Sequence, residues 1–180
     1  MNHLITCFLP ALFVGAVFPS QVQAQKETSR ELTHTREAFA FAVSAPQVEV
    51  FPLFGAYEER KWAPGFDPQF LHPVPAYDQP GMVFTTVQAG LPRVWTNTCF
   101  DAATGHVQYV YWIADVMVAF IDIWVKNAGP HQTEVAVVYE RTALRPEANE
   151  MVSRMAHDDA HSGPHWAEAI NGYLRGTTAR

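Results

Sequence analysis

The chain has 180 residues, 48% of them hydrophobic, 13% aromatic and 17% charged, a composition of folded globular proteins that excludes disordered and fibrous classes. Its net charge is −6, with 12 Lys and Arg against 18 Asp and Glu. Without a Lys/Arg cluster, an acidic chain is poorly suited to nucleic acid or an anionic membrane, and neither is expected as a partner.

The first segment differs from the rest. Residues 1–25 contain no Asp, Glu, Lys or Arg, and the apolar run Leu4–Phe18 is followed by Pro19, Ser20 and then Val22-Gln23-Ala24. An apolar core, a polar tail and small residues before a cut describe a secretory signal peptide, with cleavage expected after Ala24. Its n-region carries His3 but no Lys or Arg. The run is shorter than the roughly 20 residues that span a bilayer, and Pro10 interrupts it, so no stable membrane insertion is expected after cleavage. Most of the apolar run follows Cys7 instead of preceding it, which argues against a lipoprotein signal. The mature chain would be Gln25–Arg180, periplasmic or secreted. It retains Cys99 alone, so it has no internal disulfide and must be held together by its core.

Residues 25–35 are polar and read as a flexible lead-in to a single domain over 36–176. From Glu37 to Val43 the residues alternate, with Phe39, Phe41 and Val43 on one face, the period of a strand. Ser44-Ala45-Pro46 stops it, Pro46 suiting the first turn of a short helix with Ser44 or Ala45 at the cap. Val50, Leu53 and Phe54 give that helix an apolar face, which Pro52 keeps short, and 56–62 suits a second short helix. Residues 58–73 (EERKWAPGFDPQFLHP) have no helical repeat, and three prolines exclude a central strand. Yet this loop holds Trp62, Phe66, Phe70 and Leu71, more apolar surface than solvated chain requires.

Strand patterns follow at 82–89 and 93–100, separated by Gly90-Leu91-Pro92 as a hairpin turn, then at 106–113, 118–125 and 133–140. In 118–125, Ile121, Ile123 and Val125 alternate with Phe120, Asp122 and Trp124. The chain ends in a helical stretch carrying Met151, Val152, Met155 and Ala156, then Trp166, Ile170, Tyr173 and Leu174. Gly163-Pro164 should kink or split it, with Ser162 as a cap for a second segment. Strands in succession with helices at the ends define an α+β fold with an antiparallel sheet.

In this order the elements resemble the START-like, or helix-grip, superfamily, whose relatives include birch-pollen-allergen proteins, bacterial polyketide cyclases and lipid-transfer domains (SRPBCC). The likeness runs through FAVSAPQVEVFPLF (41–54), WAPGF (62–66), the strand start Gly81-Met82-Val83-Phe84, VYERTAL (138–144) and the final helix with Trp166 and Tyr173-Leu174. It implies a curved seven-stranded antiparallel sheet wrapped around a long C-terminal helix, with two short helices after the first strand and a cavity between sheet and helix. The aromatics of 58–73 would line or plug its entrance, or would simply cap the core. The ligand-binding residues that follow are Trp62, Phe66, Phe84, Trp95, Cys99, Tyr109, Tyr111 and Tyr139. Aromatic strand residues are ordinarily core; in a fold with an open cavity some must face it.

Chemistry-bearing residues are few. Glu58 and Glu59 suit general acid–base work, but a surface ion pair with Arg60 or Lys61 is the commoner outcome. Asp122 and Tyr139 are catalytic candidates. Asp122 requires that its face look inward, whereas the aliphatic face carrying Ile121 and Ile123 makes the better core. Cys99 has no sequence neighbour that would activate a thiol. His157 and His161 share a helix face at a metal-ligand spacing, but no second cluster completes a site, and neither metal nor cofactor is expected.

Three functions fit these residues. One is an exported binding protein for a hydrophobic or aromatic small molecule, lipid-like or polyketide-like. The second is an enzyme of the polyketide cyclase/dehydratase type, and the third a periplasmic protein-interaction module whose protein partner is unknown. The absence of a specific catalytic set places binding first.

Overall fold

The computed structural model describes residues 31–178; the expected signal peptide, its cleavage site and most of the lead-in lie outside the described residues. Strand β1 (His34–Val43) begins inside the segment expected to be lead-in. Helix α1 (Gln47–Val50), a 3-10 turn (Phe51–Phe54) and helix α2 (Ala56–Glu59) follow. Six strands come next: β2 (Gln69–His72), β3 (Val83–Gln88), β4 (Leu91–Asp101), β5 (His106–Ile113), β6 (Met117–Gly129) and β7 (Gln132–Ala143). Helices α3 (Asn149–Asp159) and α4 (Gly163–Thr178) close the chain.

All seven strands join one antiparallel sheet in the order β1-β7-β6-β5-β4-β3-β2. β1 and β2 are neighbours in sequence yet lie at opposite edges, so residues 44–68 must cross the sheet. Pairing is continuous along β6 and β7, with Ile121 opposite Tyr139, Ile123 opposite Val137 and Val125 opposite Val135. These residues face the core, whereas Phe120 and Trp124 are exposed on the other face. The period-two pattern thus assigns the faces of β6 as the aliphatic residues require.

Several elements differ from the sequence expectation. A short strand, β2, lies inside 58–73; it is an edge strand, which the prolines bracketing it allow because its outer side needs no ladder partner. The β3–β4 turn is Ala89-Gly90, both at positive φ (50° and 76°), with Gln88 paired to Leu91. Two residues at positive φ match the twist of a tight hairpin, so Leu91 and Pro92 belong to β4. Pro46 is itself the N-cap of α1, without a side-chain hydrogen bond, while the Ser44 amide donates to Asn171 Oδ1 on α4 at 2.8 Å. The C-terminal stretch is split in two at Gly163. Ser162 does not cap α4 with its hydroxyl, which donates back to the Asp158 carbonyl at 3.0 Å. Its own carbonyl instead accepts from the Trp166 amide at 3.1 Å. Gly163 passes close to β1: a Cβ there would lie 3.3 Å from the Ala40 carbonyl oxygen.

The core lies between the inner face of the sheet and the helices. It contains Val43, Val50, Leu53, Phe54, Met82, Val107, Val125, Val135, Val137, Val152 and Ile170, all buried. Among the described residues no helix is long and apolar enough to cross a membrane.

Candidate functional site

The inner face of the sheet does not meet the helices everywhere. A cavity of about 410 Å³ remains, with a narrow inward extension of about 30 Å³. Trp95, Tyr111, Tyr139 and Arg141 form its floor, the segment from Glu59 to Phe66 one wall, and Met155, Asp159, Trp166 and Ala169 the opposite wall. Exposed Pro64 and His165 stand at its rim.

Trp166 is the hinge of the aromatic lining. Its ring centroid lies 5.7 Å from Trp62, 5.6 Å from Phe39 and 6.4 Å from Phe54. Trp62 is fixed from behind, its indole N–H donating to the Leu53 carbonyl at 2.7 Å. Phe66 meets Phe84 and Trp95 edge-on at 6.0 and 6.4 Å. The apolar content of 58–73 is thereby explained: Trp62 and Phe66 wall the cavity, and Phe70 closes over Phe84 from β2. Such offset and edge-to-face pairs hold aromatic walls open in a fixed geometry.

Trp62, Phe66, Trp95, Tyr111 and Tyr139 line the main cavity, and Phe84 and Tyr109 its inner extension. Tyr109 is also structural: its hydroxyl accepts from the Ala56 amide at 2.9 Å and donates to the Phe54 carbonyl at 3.1 Å. Burial pushes the Tyr109 and Tyr139 phenols well above their ordinary value.

Two expected site residues lie elsewhere. Cys99 is not on the cavity wall. The β4–β5 register slips between Asn97 and Cys99, and that bulge turns the side chains after it over. Asn97 therefore pairs with inward Tyr109, while Cys99 pairs with Gln108 on the outer face. Partial burial and the charges of Asp101 and Asp122 raise the Cys99 thiol above its ordinary value. Asp122 is also on the outer face, accepting from Gln108 Nε2 at 2.9 Å and lying 2.7 Å from His106 Nε2. It cannot reach a molecule in the cavity. The rings of His157, in the last turn of α3, and His161, just beyond it, are 4.9 Å apart, and both residues are exposed. Among the described residues no group of three or more His, Cys, Asp or Glu is placed to hold a metal ion.

Of the polar half of the site, the sequence reading named Glu59 as an acid–base candidate while favouring a surface ion pair, and did not single out Arg93, Arg141 or Asp159. On α2, Glu58 forms the expected surface pair with Lys61 at 2.6 Å. Glu59, one residue on and about 100° further around the helix, points into the cavity. Burial, followed by the charge of Asp78, pushes its carboxyl up to about 8. Arg141 on β7 is buried, forms an ion pair with Asp159 of α3 and donates from Nε to the Tyr111 hydroxyl at 3.2 Å. Its guanidinium also lies 4.3 Å from the Tyr139 ring centroid. Arg93 on β4 reaches the same cavity, 5.5 Å from the Tyr111 ring. Only the inward phase of Arg93 and Arg141, shared with Trp95 and Tyr139, could have signalled them, because a lone arginine on a strand ordinarily faces solvent.

A curved seven-stranded antiparallel sheet closed by C-terminal helices, with short helices after the first strand, is the helix-grip fold. Solved structures agree. Norcoclaurine synthase from Thalictrum flavum, in complex with dopamine and hydroxybenzaldehyde, matches with a TM-score of 0.60 and 13% identity over 94% of this chain and 98% of that one. A START superfamily protein from Mycobacterium smegmatis matches with a TM-score of 0.59 and 17% identity over 81% and 99%. Ara h 8.0201 does so with a TM-score of 0.54 and 13% identity over 80% and 99%. No protein-family model and no curated protein sequence matches the chain.

Proposed function

We propose that this chain is an exported binding protein for a hydrophobic or aromatic small molecule held between the sheet and the C-terminal helices. The observation that carries this reading is the 410 Å³ cavity walled by Trp62, Phe66, Trp95, Tyr111 and Trp166. Its volume lies within the usual span of small-molecule sites, about 300–1,000 Å³. A ligand burying about 300 Å² of apolar surface gains roughly 7 kcal/mol before the entropy of binding is subtracted, enough for micromolar affinity. The signal-peptide pattern of residues 1–24 supports export.

Native mass spectrometry of the chain from Gln25, purified gently from an exported preparation, tests the reading. A bound mass released on denaturation is expected. A bare chain mass across several preparations, with no thermal shift from apolar compounds, would overturn it.

Glu59 favours a second reading as an enzyme of the cyclase/dehydratase type. A carboxyl titrating near neutrality beside the Tyr139 phenol is suited to moving protons on a bound substrate. If so, Glu59→Gln abolishes turnover of the copurified compound and leaves its binding intact.

A further inference from the structure

We propose that the molecule held in the cavity carries an anionic group, a carboxylate in the simplest case, seated on the guanidinium of Arg93. This inference rests on the small-molecule reading of the cavity and specifies the ligand's charge.

The argument is a charge balance within one enclosure. Arg93 contributes a permanent positive charge to the cavity wall. Among the described residues it forms no ion pair, and its Nε is buried without a hydrogen-bond partner. Its guanidinium lies 5.5 Å from the Tyr111 ring centroid. A buried donor without a partner is costly and calls for an explanation.

The carboxyl groups that line the cavity do not provide one. Asp159 is committed to Arg141. Glu59 is largely protonated at neutral pH, burial having pushed it up to about 8, so it brings little negative charge. Arg141 is neutralised by Asp159 and satisfied on Nε by the Tyr111 hydroxyl. One positive charge is left over, and it faces the space a ligand would fill. Burial further disfavours it, holding the Arg93 guanidinium below its ordinary value. An anionic group entering the cavity would balance the charge, and the planar fork of arginine suits a carboxylate in particular. The apolar body of such a molecule would lie on Trp95 and Tyr111, whose rings are 4.3 Å apart at a 38° tilt, a ready platform for an aromatic ring.

Three probes test the inference and separate it from the reading beneath it. N-phenyl-1-naphthylamine, an uncharged apolar fluorophore, reports whether the cavity accepts an aromatic molecule at all. Naphthalene-2-carboxylate and naphthalene-2-carboxamide have nearly the same shape and differ in charge; isothermal titration calorimetry at pH 7 gives their affinities. We expect the fluorophore to bind and the carboxylate to bind at least tenfold more tightly than the carboxamide. Arg93→Met should remove that preference while leaving carboxamide and fluorophore affinities within about threefold, and Arg93→Lys should retain part of it. Fluorophore binding with equal affinity for the two naphthalenes overturns the anion site and leaves the cavity reading standing. Binding of neither the fluorophore nor either naphthalene overturns both. If Arg93→Met fails to fold, the wild-type comparison and Arg93→Lys still decide the question.

Discussion

Replacing Glu59 by glutamine removes the cavity's titrating carboxyl and keeps its size and hydrogen-bonding capacity, so the variant isolates the effect of ionisation. In the folded chain burial, followed by the charge of Asp78, raises Glu59 from 4.5 to about 8. Between those values the folded state holds a proton that the unfolded chain has released. Stability therefore falls as pH rises through this window, by about 1.4 kcal/mol per pH unit at the steepest. The contribution is fully present below 4.5 and lost as pH passes about 8. Across the window the loss comes to about 3–5 kcal/mol, a large share of a domain's stability. Urea unfolding of wild type and Glu59→Gln at half-unit steps from pH 5 to 9 measures it. The wild type should lose stability toward pH 8 relative to the variant, and the two curves should run parallel above pH 9. Asp78 is also raised by burial and contributes a slope of the same sign, but it is present in both proteins and mostly cancels in the difference. Parallel curves throughout would refute the reasoning, because they would mean that Glu59 is as well solvated in the fold as in the unfolded chain.

Three further predictions follow from named contacts. Tyr109→Phe leaves the Ala56 amide and the Phe54 carbonyl without their shared partner and should cost about 2 kcal/mol in chemical denaturation; a change below about 0.5 kcal/mol would count against that bridge. Arg141→Met strands Asp159 in the interior and should cost about 3–5 kcal/mol, most of it recovered in the double variant Arg141→Met/Asp159→Leu. Gly105 sits at φ +71°, and a Cβ there would lie 2.1 Å from the Val125 carbonyl oxygen. Gly105→Ala must therefore displace backbone at the β4–β5 turn, and a loss of roughly 2 kcal/mol or more in thermal unfolding is expected.

The period-two alternation of β1, β6 and β7, the apolar faces around Val50 and Leu53, and the break at Gly163-Pro164 are local patterns. Local sterics and burial fix them, and they were legible from the chain alone. Their order was enough to indicate an α+β fold, and the resemblance then implied the helix-grip arrangement. Most of the aromatic lining was also legible, because a ring on the inner phase of a strand can only face the core or a cavity. Other features depend on chains meeting from far apart. The bulge at Thr98 moved Cys99 to the outer face, and nothing in residues 93–100 marks where a ladder slips against β5. Asp159 became part of the site because α3 brings it onto Arg141 of β7. Arg93 became notable, and Glu59 was told apart from Glu58, only once the enclosure was assembled, since the meaning of a charge depends on which other charges share its cavity. The sequence by itself determined six of the seven strands, the helices and an apolar interior. Only the tertiary structure decided which polar groups that interior encloses, because burial and charge pairing are set by the neighbours the fold supplies.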